Sequence, residues 1–130
     1  MRKIHVRLKI ISDSLSSEEL STRTGLSFDE VWHVGERRGL TQIVEENNGG
    51  IISSGLQENE SLEFQIKELL KLVESNVEKI KQLSTNTMDA TVELSCVIYS
   101  DDISALHFDK NTISALSDLG AHLDIDIYEI

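Results

Sequence analysis

The last eleven residues, Gly120-Ala-His-Leu-Asp-Ile-Asp-Ile-Tyr-Glu-Ile130, decide how the rest of the chain is read. After the glycine, Ala121, Leu123, Ile125 and Ile127 alternate with His122, Asp124, Asp126 and Tyr128. Successive side chains of a strand point to opposite faces, so this alternation predicts a strand with one buried and one polar face. Its backbone donors and acceptors need partners, which places it in a sheet with earlier segments.

The same signature opens the chain. Over residues 2 to 11, Ile4, Val6, Leu8 and Ile10 share one face, and Lys3, His5, Arg7 and Lys9 the other. That basic face would complement the acidic face of the last strand if the two pair, since opposite charges across strands attract. A third strand is expected from about 89 to 99, where Ala90, Val92, Leu94, Cys96 and Ile98 alternate with Thr91, Glu93, Ser95, Val97 and Tyr99.

Helices are expected between these strands. Ser16-Ser-Glu-Glu19 is a capping-box pattern with Leu15 and Leu20 as its hydrophobic staple, and Gly25 suits the left-handed cap that ends the helix. From 61 to 84, Leu62, Ile66, Leu69, Leu70, Val73, Val77, Ile80 and Leu83 recur at helical spacing. A second capping-box pattern, Ser75-Asn-Val-Glu78, predicts a break or kink there. Asp109 is expected to cap a last helix carrying Ile113, Leu116 and Leu119 and ended by Gly120.

Two regions carry weaker patterns. Glu30-Val-Trp-His-Val34 reads as a short strand or an ordered loop, and Glu45-Glu-Asn-Asn-Gly-Gly50 as the turn of a hairpin between 40–44 and 51–53. Ser100 to His107 reads as a loop with Asp101 and Asp102 solvated. The expected fold class is α+β, in the order β-α-β-β-(β)-α-β-α-β. A mostly antiparallel sheet of about five to six strands carries helices on one face and leaves the other at least partly open.

With 130 residues, 39% hydrophobic and 27% charged, the chain suits one globular domain spanning residues 1–130. The formal charge of −11 argues against a nucleic-acid partner, which calls for a basic stripe. Residues 1 to 40 hold seven Lys/Arg against six Asp/Glu, a net of +1, while 41 to 130 hold five against seventeen, a net of −12. No apolar run approaches the roughly 20 residues of a membrane span. The basic N-terminus lacks the continuous apolar region of a signal peptide, so the expected location is cytoplasmic. Cys96 is the single cysteine, which excludes an internal disulfide, and its inward position suits a small core residue more than a nucleophile.

Several stretches together resemble a bacterial family of unknown function, the domain-of-unknown-function family numbered 4279. They are Val6-Arg-Leu-Lys-Ile-Ile-Ser-Asp-Ser-Leu15, Glu18-Glu-Leu20, Thr24-Gly-Leu26, Trp32-His-Val-Gly-Glu36 and Leu116-Ser-Asp-Leu-Gly-Ala-His-Leu-Asp-Ile-Asp-Ile-Tyr128. In one departure, Gly50-Ile-Ile-Ser53 stands where members often carry a tryptophan. The resemblance implies a small bacterial α+β domain and supplies no activity or catalytic residue.

The polar sheet face is the first candidate surface. It would gather His5, Arg7, Tyr99, His122, Asp124, Asp126 and Tyr128, either as a partner surface or as a solvated face with cross-strand ion pairs. Same-face residues two apart on one strand stand about 7 Å apart, so His122, Asp124 and Asp126 are not expected to close on one metal ion. The second candidate is Trp32, His33, Glu36 and Arg37 with Arg38, a possible recognition pocket set against a tryptophan packed at the sheet edge. No Walker, nucleophile-elbow, dinucleotide-binding or zinc-protease pattern occurs, and no catalytic residue, metal or cofactor is expected. The favoured expectation is a non-enzymatic binding module, monomer or homodimer, that neutralises a basic protein partner as small acidic immunity proteins do. The alternative is a small-molecule sensor or enzyme with its pocket between 32–38 and the open face.

Overall fold

The structure, a computed structural model, describes residues 2–101 and 105–130. In chain order its elements are β1 (Arg2–Ser12), α1 (Ser17–Thr24), β2 (Glu30–Trp32), β3 (Asn48–Ser53), α2 (Leu62–Leu72), α3 (Val77–Lys81), β4 (Thr91–Ser100), α4 (Lys110–Asp118) and β5 (Ala121–Glu129). The strands form one open sheet in the order β2-β3-β1-β4-β5. Its pairings are antiparallel except β4 with β5, which is parallel. The α+β class, the strand number and the helix-covered face are all as expected.

Sheet and helices share one core. Ile4, Val6, Leu8 and Ile10 of β1 and Val92, Leu94, Cys96 and Ile98 of β4 pack under Leu20, Ile66, Leu69, Val73, Ile80 and Leu116. Each such aliphatic side chain contributes about 1.5–3 kcal/mol by leaving water. The capping box at Ser16 and Glu19 forms, and Gly25 ends α1 at φ 75°. The long helical pattern breaks as expected at a 3₁₀ turn, Glu74–Asn76. The break serves packing, because the Asn76 amide nitrogen donates to the Thr24 carbonyl at 2.9 Å and holds the end of α1.

Three expectations are corrected. β1 does not pair with β5; β4 lies between them, which separates the basic and acidic strands by about 10 Å. The hairpin turn is not at 45–50: Asn48, Gly49 and Gly50 belong to β3 and pair with β1 and β2. The reason is steric. A Cβ on Gly49 would lie 2.3 Å from Trp32 Cζ2 on the open face, and one on Gly50 would lie 2.4 Å from the Phe28 ring on the core face. Two aromatic rings thus clamp a glycine pair from opposite sides. The chain turns instead at Gly39, φ 59°, inside a small loop in which Arg37 bridges to Val44. Thirdly, Ser100 is a buried strand residue, not loop. Asp101 is exposed, and the expectation for Asp102 lies outside the described residues.

Candidate functional site

The open sheet face carries every residue that strand parity assigned to it. Register aligns Lys3, Tyr99 and Tyr128 in one row, His5, Val97 and Asp126 in the next, and Arg7, Ser95 and Asp124 in the third. Lys9, Glu93 and His122 form a fourth. Tyr99 and Tyr128 stack with centroids 5.2 Å apart, and His5 meets Tyr99 edge-on at 6.3 Å. His5 also reaches Glu58, 3.1 Å away in the connector after β3.

The cross-strand ion pairs of a solvated face do not form among the described residues. Among the described residues, Arg7, Lys9, Asp124 and Asp126 have no ion-pair partner within 4.0 Å. With β4 interposed, the basic β1 and acidic β5 divide the face into halves of opposite sign. No group of three or more His, Cys, Asp and Glu among the described residues is placed to hold a metal ion.

The 33–47 loop folds over the basic half and encloses a cleft of about 780 Å³. Arg7, Lys9, Trp32, Glu36 and Arg37 line it, with Ile11 and Ile51 in its floor. Lys9 Nζ stands 5.8 Å from the centre of the Trp32 ring, and the indole N–H donates to Asn47 Oδ1 at 3.2 Å. The loop is held by Arg38, which donates to both carboxylate oxygens of Glu45 at 2.8 and 3.2 Å. That contact raises the Arg38 pKa and lowers that of Glu45.

His33 does not point into the cleft's lining. It ties the loop to α1, with Nε2 2.9 Å from Glu18 Oε1 and Nδ1 on Glu36. Glu18 first, then Glu36, holds the His33 pKa above the ordinary imidazole value. His33 and Glu36 form a turn that closes an ion-paired clasp. Cys96 is fully buried, and burial with the nearby Asp124 charge pushes its thiol pKa up to about 12.

Sequence reading missed Glu18, Asn47, Glu45 and Glu58 as partners of the site, because each is joined to it by tertiary contact and carries no local signal. A different hollow of about 430 Å³ lies on the helix side between α2 and α4, beside the Lys67–Asp109 ion pair at 2.9 Å. None of the predicted site residues lines it. No helix among the described residues is long and apolar enough to cross a membrane.

No curated protein and no solved structure matches the chain. One family match spans nearly its full length, in keeping with the resemblance seen in the C-terminal strand and the Trp32 to Glu36 stretch. On that match over residues 2–129, the chain belongs to the family described as Domain of unknown function (DUF4279).

Proposed function

We propose that this protein is a non-enzymatic binding module that engages a basic protein partner through the β4–β5 half of its open sheet face. The observation that carries this reading is the pair Asp124 and Asp126, exposed beside the stacked Tyr99 and Tyr128 and without ion-pair partners among the described residues. Solvated carboxylates next to flat aromatic surface suit a partner's Lys or Arg, through ion pairing and cation–π contact. The net charge of −11 adds long-range attraction for such a partner. An immunity-like role, in which the acidic face masks a basic protein, is the biological form of this reading.

The test is a salt-dependent NMR titration with a lysine-rich peptide. Amide shifts are expected to concentrate at Tyr99, Asp124, Asp126 and Tyr128. Asp124→Asn with Asp126→Asn should weaken binding more than Glu74→Gln with Glu78→Gln, which removes equal charge from the helix side. Equal weakening by the two double variants would leave only non-specific attraction and sink the proposal.

A second reading has its own support in the 780 Å³ cleft beneath the 33–47 loop. Its size and its mixture of polar groups with the Trp32 ring suit a polar small molecule. Trp32 is the sole tryptophan, so its fluorescence reports on the cleft directly. A metabolite that raises the melting temperature should also change Trp32 emission. A screen in which stabilising compounds leave Trp32 unmoved would count against this cleft.

A further inference from the structure

β5 pairs with β4 on one side only, and its other side is the edge of the sheet. Backbone N–H and C=O groups of successive strand residues point in opposite directions. The Ile130 N–H donates to the Ser100 carbonyl at 3.1 Å, so the even-numbered residues of β5 bond inward to β4. Leu123, Ile125 and Ile127 therefore present their backbone donors and acceptors outward. Their side chains lie on the helix side in register with Leu94, Cys96 and Ile98, yet Leu123 and Ile127 remain 41% and 40% exposed. The even-numbered side chains, Asp124 and Asp126 among them, line the opposite face.

We infer that this edge accepts an extended segment of a partner protein in which Lys or Arg alternates with apolar residues. Strand addition would satisfy the outward backbone groups, cover Leu123 and Ile127 on one face, and set cations beside Asp124 and Asp126 on the other. A second copy of β5 fits poorly. In antiparallel self-pairing, each register centred between residues 124 and 126 sets an aspartate opposite an aspartate, and like charges directly opposite repel. The chain contains no proline to block the edge.

This inference rests on the basic-partner reading and specifies how that partner docks. Its test uses two peptides of one composition, one alternating Lys with Val and one with the two residues in separate blocks. Hydrogen exchange on the intact protein is the readout. The alternating peptide should protect the Leu123, Ile125 and Ile127 amides and bind about tenfold more tightly than the block peptide, as expected from cross-strand pairing at several positions. Ile127→Pro removes an outward N–H, a change that edge strands accept, and should weaken the alternating peptide by about tenfold or more. Binding that depends on Asp124 and Asp126 but protects none of the three amides would overturn strand addition and leave the acidic-face reading standing. If neither peptide binds, both fall.

Discussion

The Trp32 ring packs against Gly49, so close that a Cβ at residue 49 would sit 2.3 Å from Cζ2. β2 and β3 are thereby locked at the one point where the open face, the 33–47 loop and the cleft meet. Gly49→Ala is expected to force the indole away and cost about 1–3 kcal/mol, the usual range for overpacking. Urea unfolding and Trp32 emission would measure the two effects. An unshifted emission maximum with unchanged stability would show that the ring is free to move.

Ser17 links α1 to the same strands. Its buried hydroxyl is shared between the carbonyls of Trp32 at 2.6 Å and Gly49 at 2.9 Å. Ser17→Ala leaves both acceptors short of a donor and should destabilise the protein by about 1–3 kcal/mol. Denaturant midpoints of the two proteins decide the matter, and coincident curves would mean that water replaces the hydroxyl.

The His33 clasp predicts a defined pH response. The folded pKa of His33 is raised above 6.5, so its contribution is full below 6.5 and is lost as pH rises through the higher folded value. Glu18 is shifted the other way, lowered from 4.5 chiefly by a backbone hydrogen bond and then by His33. Its contribution is present above 4.5 and fades as pH falls through the lower folded value. The clasp is thus strongest between about 4.5 and 6.5. The melting-temperature gap between wild type and His33→Ala should be widest there and narrow on the alkaline side. A gap independent of pH would assign His33 a packing role only.

Cys96 should resist modification. With the thiol pKa near 12 and no exposed surface, little thiolate forms at neutral pH and none is accessible. Iodoacetamide labelling is expected at the rate of global unfolding, rising steeply with urea. Fast labelling in native buffer would mean that β4 opens locally, which would also loosen its pairing with β5.

Much of the fold was legible because it rests on local periodicity. The alternation in residues 2–11, 91–99 and 121–128 assigned each side chain to a face, and the structure keeps that parity in every row. The caps at Ser16 and Asp109 were equally local, set by side chains within a few residues of the backbone they serve; the break near Ser75 carries no side-chain cap, and Asn76 there reaches Thr24 instead. The candidate site was legible in part, since parity alone brought His5, Tyr99 and Tyr128 to one face. A pocket between 32–38 and the open face was among the readings, but the wall from Ile43 to Asn47 was not, because it meets Arg7 and Trp32 only through the folding of the 33–47 loop.

What tertiary structure decided is neighbourhood. Period-two alternation in Gly120–Ile130 is satisfied equally by antiparallel pairing with β1 or parallel pairing with β4, since either turns the same residues toward the helix side. The helix α4 crosses over before β5 and delivers it parallel to β4, outside the basic strand. Asp124 and Asp126 are thereby left without the cations of β1, and Leu123 and Ile127 stand at an edge instead of a sealed core. Gly49 and Gly50 show the same division. Read locally, glycines suggest a turn because they tolerate positive φ; here they lie in a strand because two distant rings leave no room for a Cβ. Alternation and caps act over a few residues and are written in the sequence, whereas strand order and ring contacts depend on segments that meet only when the whole chain has folded.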